Sequence, residues 1–152
     1  MDASVGLSAD EVRAIEWDCQ KLSVMAFNRI DAREYEALGE LYTENATFVR
    51  PTDVENPFHG RDKIVASYAS RPANRMSRHL CTNFEVEVLG PDRAKSFFLV
   101  AVYIGDSDKP APKIGAQAES SQLVGEFRDE YVLTEAGWRI SKRVGNLSMS
   151  TP

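Results

Sequence analysis

Apolar residues recur at Val12, Ile15, Cys19, Leu22, Ala26 and Ile30, the spacing of one face of a helix. Ser8 followed three residues later by Glu11 forms a capping box that should start this helix. Trp17, Val24 and Phe27 widen the stripe. A helix of about 22 residues would be ~33 Å long, enough to cross a small domain, so most of its length must be buried. A second helix is expected over 32–42, with Tyr35, Leu38 and Leu41 inward. Asp31 would suit that helix as its N-cap. The stretch 47–50 reads as a short strand stopped by Pro51. The segment 51–60, with Pro51, Asp53, Asn56, Pro57 and Gly60, reads as a loop. A third helix is expected over 61–69, ending ahead of Pro72.

Beyond residue 77 the period shortens to two. Phe84, Val86 and Val88 alternate with Glu85 and Glu87, as in a half-buried strand. A turn over 89–93 leads to an apolar strand, 94–104, expected to be covered on both faces. The Gly-, Pro- and Ser-rich stretch 105–121 is long for a loop inside a compact domain and is a candidate lid. Strands over 122–134 and 138–144, joined at Glu135-Ala136-Gly137, make a last hairpin. Helices followed by a run of strands predict an α+β fold: a cone-shaped, cystatin-like barrel in which a strongly curved mixed or antiparallel sheet wraps N-terminal helices. The whole of 1–152 is expected to be one domain with its core at about 8–147. The space between helix and sheet is a natural pocket for a small apolar molecule.

Composition narrows the function. Hydrophobic residues at 43 % and charged residues at 27 % are ordinary for a globular protein. A formal charge of −5 argues against a nucleic-acid partner. Arg71, Arg75 and Arg78 nevertheless cluster, either as a solvated loop and strand start or as a rim that steers an anionic substrate. No apolar run reaches a membrane span, and the N-terminus lacks the basic-then-apolar pattern of a secretory leader. Cys19 and Cys81 are isolated thiols, which suits a reducing, cytoplasmic setting.

The chain has two histidines. His59 falls in a loop and reads as a surface residue. His79 opens the strand region, and Asp31 ends the long helix; a carboxylate beside an imidazole can fix its tautomer and stabilise the imidazolium. The other readings are a helix cap for Asp31 and a strand histidine bonded to a backbone carbonyl. One conflict stands out: His79 shares strand parity with Glu85 and Glu87, not with Phe84, Val86 and Val88. Either a bulge after Asn83 switches faces, or the two faces bury different things. No His, Cys, Asp and Glu cluster has metal-ligand spacing, and there is no phosphate loop or nucleophile elbow, so cofactor-free chemistry is expected. The pocket wall is expected from Val24, Phe27 and Phe48, from Phe98, Val100 and Val102, and from Leu123, Gly125 and Phe127, with Tyr68 and Met76 at the mouth.

Several marks occur in order: Ile30-Asp31, then 41–48 (LYTENATF), 58–64 (FHGRDKI), 78–83 (RHLCTN) and Gly137-Trp138-Arg139-Ile140. In this the chain resembles the SnoaL-like branch of the nuclear-transport-factor-2-like superfamily, which includes scytalone dehydratase, hexachlorocyclohexane dehydrochlorinase and polyketide cyclases. The resemblance implies that Asp31 orients His79, the base that removes a proton beside a departing group, and that Arg143 is a basic pocket residue. A second pocket cation of the dehydrochlorinase falls at Ala26, so that particular chemistry is not implied. The implied function is a cofactor-independent lyase or isomerase acting on a small apolar, oxygenated or halogenated substrate. The alternatives are a non-catalytic binding or oligomer-forming subunit, or an enzyme of ketosteroid-isomerase type with Asp31 itself as base. The family also implies a homo-oligomer, a trimer ahead of a dimer, with Phe84, Val86 and Val88 on the contacting face.

Overall fold

The capping box forms as expected. Ser8 accepts from the Glu11 amide and Glu11 answers at the Ser8 amide, starting α1 (Ala9–Ala32). This computed structural model describes residues 6–110 and 114–151. The buried side of α1 carries Ile15, Cys19, Leu22, Ala26, Phe27 and Ile30. Trp17, in contrast, is 64 % exposed, because it lies roughly half a turn round from the stripe. Arg33 closes the helix in the left-handed region, its amide bonded to Arg29 and Ile30 carbonyls.

The next segment departs from expectation. Helix α2 is only Tyr35–Gly39, its N-cap is Glu34, and Asp31 belongs to the last turn of α1. Strand β1 (Tyr42–Arg50) begins where the second helix was expected to end. The expected loop contains β2 (Asp53–His59), an edge strand antiparallel to β1. Only Phe58 of β2 is even half-buried, stacking on Phe48, so no alternation marks the strand, and Pro57 is tolerable at an edge. Helix α3 spans Arg61–Ala69 as predicted.

Strands β3 (Arg75–Gly90), β4 (Arg93–Asp106), β5 (Leu123–Thr134) and β6 (Gly137–Ser150) form an antiparallel meander. Strand β6 also runs parallel to β1, giving the order β2-β1-β6-β5-β4-β3. The fold is α+β with a mixed sheet, and the sheet stays open: β2 and β3 are its two edges. Strand β4 is buried on one face only, through Ala94, Ser96, Phe98 and Val100; Phe97, Leu99 and Ala101 are half-exposed rather than covered.

A β-bulge resolves the parity conflict. Thr82 pairs Leu99 but Glu85 pairs Phe97, so β3 carries one extra residue, and Asn83 takes φ 55°. Before the bulge Ser77, His79 and Cys81 face inward; after it Phe84, Val86 and Val88 do. Phe84, Val86 and Val88 therefore pack on the core, Phe84 stacking on Phe98 at 4.3 Å, and do not form an outer contact face. No helix among the described residues is long and apolar enough to cross a membrane.

Gly145 shows how tightly the sheet closes over its contents. A Cβ there would lie 2.6 Å from the Pro51 ring and 2.9 Å from Phe127, so no larger residue fits without moving both.

Candidate active site

Asp31 is brought to β3 by the last turn of α1, where both its oxygens are engaged. The Ser77 hydroxyl donates to Oδ1 at 2.7 Å, and the His79 backbone N–H donates to Oδ2 at 2.8 Å. The His79 ring completes the set with Nδ1 at 2.6 Å from Oδ1. A carboxylate can only accept, so Nδ1 carries the proton and Nε2 presents its lone pair. Among the described residues Nε2 has no hydrogen-bond partner. The two side chains are 11 % and 12 % exposed, and the imidazole lies against Phe27 with ring centroids 4.7 Å apart.

Burial disfavours the Asp31 carboxylate. The side-chain hydrogen bond and charge of His79, its backbone N–H and the Ser77 hydroxyl outweigh this and hold the carboxyl below its ordinary 3.8. A depressed folded pKa gives stability that is complete above the unfolded value and lost as pH falls through the folded one. The unfolding free-energy gap between wild type and Asp31→Asn should therefore shrink as pH falls below about pH 4. Urea titrations across that range test this; a gap that widens in acid would contradict the assignment.

His79 opens onto a cavity of about 100 Å³. Of the residues expected to wall it, Phe27, Phe48, Tyr68, Val100, Val102, Leu123, Gly125 and Phe127 line it. Val24, Met76 and Phe98 do not. Val24 is half-buried off the stripe of α1, and Phe98 lies behind Phe27 and Phe127. Met76 borders a separate shallow recess with Gly115, Ala116 and Ala118. No described residue of the loop between β4 and β5 lines the cavity, and 111–113 lie outside the described residues.

Arg143 sits elsewhere. It is fully buried and forks onto Asp129, Nε to Oδ1 at 2.8 Å and Nη2 to Oδ2 at 2.6 Å. Its guanidinium carbon is 4.5 Å from the Phe27 ring centroid and 5.9 Å from that of Phe127, so it backs the aromatic wall and is not part of the cavity lining. Ser23 donates to Asp129 and also meets the Tyr131 hydroxyl, which in turn meets Ser96. Burial pushes Tyr131 well above the usual phenol range and Cys19 up to about 12, so both stay protonated.

Ser77, Arg50 and Asp129 are site residues beyond those expected from the sequence. Strand parity would have found all three: Ser77 aligns with His79, Arg50 with Phe48, and Asp129 with Phe127 and Tyr131. Among the described residues no three His, Cys, Asp or Glu side chains gather as a metal site requires.

The fold is thus a long capped helix on an open mixed sheet, with an Asp31–His79 pair whose imidazole lines a cavity. The chain belongs to the SnoaL-like domain family, whose model matches residues 14–144. No curated protein matches it in sequence. Among solved structures it is similar to hexachlorocyclohexane dehydrochlorinase LinA-type3 from Novosphingobium barchaimii LL02, with 18 % identity, 95 % of this chain and 94 % of that one covered, and a TM-score of 0.77. A candidate scytalone dehydratase from Novosphingobium aromaticivorans gives 16 %, 95 %, 91 % and 0.75. ActVI-ORFA from Streptomyces coelicolor gives 14 %, 89 %, 98 % and 0.70. At these identities the likeness is one of fold.

Proposed function

We propose that this protein is a small-molecule lyase or isomerase in which His79 removes a proton from a largely apolar substrate. The observation that carries this reading is the Nδ1–H bond to Asp31, which leaves Nε2 basic at the cavity. The negative end of α1 lies beside the pair and favours the imidazolium that forms. In an elimination, Nε2 takes the proton, the C–H electron pair becomes the new C=C bond, and the departing hydroxyl or halide leaves with the pair of its own broken bond. Tyr68 is the tyrosine of the lining; burial, working against the nearby arginine charges, raises its pKa, so it stays a neutral hydroxyl able to polarise the substrate. Arg143 supports the wall behind Phe27 and Phe127. The dehydrochlorinase and dehydratase names of the similar structures agree with this class of reaction.

The rival reading, Asp31 as the base, is opposed by its lowered pKa and by the partners on both oxygens. A purely structural subunit would use Asp31 to tie α1 to β3 but would have no need of a basic Nε2 at a cavity. The test is a panel of β-hydroxy and β-halo carbonyl compounds, followed by absorbance of the new double bond and by solvent deuterium exchange at the acidic carbon. Activity that is identical in His79→Gln would sink the reading.

The protein also works as a homo-oligomer, a trimer, in this reading. The register lines up Leu80, Ala101, Val124 and Met149 in one row across the outer face of four strands. Leu80 is 55 % and Met149 64 % exposed, more apolar surface than an outer face needs. Light scattering should give about three times the chain mass; a monomer that persists at high concentration would refute it.

A further inference from the structure

Three arginines line the same cavity as His79. Arg50 comes from the end of β1, Arg71 from the segment after α3, and Arg75 from the start of β3. The third cation of the sequence cluster, Arg78, is exposed and outside the lining. Acidic residues outnumber basic ones, 23 to 18, yet among the described residues none of the three has a carboxylate within ion-pair distance. Arg50 is held by the Phe58 ring at 5.1 Å and by the Ser67 carbonyl, and Arg71 lies over the Tyr68 ring at 4.5 Å. Among the described residues the Nε atoms of Arg50 and Arg75 are enclosed and have no hydrogen-bond partner. Three guanidiniums lining one cavity with no carboxylate partner suit an anion supplied from outside the chain.

We propose that Arg50, Arg71 and Arg75 form an anion clamp, and that the substrate is a small carboxylate whose apolar body lies on Phe27, Val100, Val102 and Phe127. This rests on the reading that the His79 cavity is the active site. The planar guanidinium fork matches a carboxylate in two-point geometry, and an arginine held on an aromatic face is already oriented for it. Burial, together with the charges of Arg75 and Arg50 and against the pull of Tyr68, lowers the pKa of Arg71; the clustered cations repel one another until an anion arrives. The clamp thus orients the molecule, carboxylate toward the arginines and acidic C–H toward Nε2. It also supplies a positive charge in the lining itself, where Arg143 does not reach.

The test uses 4-fluorobenzoate and its neutral counterpart 4-fluorobenzamide as probes, with binding followed by fluorine NMR. Wild type should prefer the acid by at least about tenfold. Arg71→Gln/Arg75→Gln should bring the two probes to within about twofold of each other, while His79→Gln should keep the preference. If the double variant does not fold, Arg71→Gln alone should shrink the preference. Equal binding of the two probes, no binding of the acid, or a preference unchanged by the arginine substitutions would overturn the clamp. A preserved preference in a protein whose turnover ignores His79 would overturn the catalytic reading and leave the clamp standing.

Discussion

His79→Gln should lower turnover by about 10²–10⁴-fold, the usual contribution of a positioned general base, with little change in the folded state. Asp31 would keep its bonds from the Ser77 hydroxyl and from the backbone N–H of residue 79, so the end of α1 stays attached to β3. Asp31→Asn should cost turnover of the same order by another route. An amide can donate to Nδ1, which moves the ring proton to Nε2 and leaves nothing to accept the substrate proton. The double variant should be no worse than either single one, because each change disables the same event. Additive losses would mean that the two residues act separately.

The second large effect is on stability. Asp129→Ala would strand the Arg143 guanidinium in a site where both partners of the pair have no exposed side-chain surface. Removing one partner of a buried, forked pair costs about 3–5 kcal/mol. For a chain of this length that is a fall in Tm of roughly 10 °C. Replacing both, as in Asp129→Leu with Arg143→Met, should recover most of the loss, since an apolar pair needs no compensation. A loss below about 1 kcal/mol for Asp129→Ala would show that the pair carries little of the fold. Arg143 packs on Phe27 and Phe127, both in the cavity wall, so the single variant should also disturb ligand binding.

Strong local signals were legible in the sequence. The capping box and apolar stripe announced α1, and α3 appeared at its expected residues, because capping and 3.6-residue periodicity are local properties. The Asp31–His79 pair was legible too, though only through the order of elements around it. Strand β2 was not, because an exposed edge strand buries almost nothing and leaves no periodic trace. The early end of α2 was missed for a related reason: the polar run Thr43-Glu44-Asn45, where β1 shifts register against β6, shows no alternation to mark the start of a strand. The Asp129–Arg143 pair lies across two strands whose pairing is a tertiary fact, although the parity of Asp129 with Phe127 and Tyr131 pointed inward. Arg143 was placed by resemblance, and resemblance gave its position in the chain without the acid that occupies it.

The bulge at Asn83 makes β3 a strand with two separately addressed halves. Alternation has a period of two, so one residue more or fewer between Thr82 and Glu85 would exchange inside and outside for one half while sparing the other. Shift the first half, and Arg78 and Leu80 would face the cavity in place of Ser77 and His79; shift the second, and Glu85 and Glu87 would enter the core. The chemistry of this cavity therefore depends on a residue count as strictly as on residue identity. Among homologues, point substitutions along β3 should be common and single-residue insertions or deletions at this place rare.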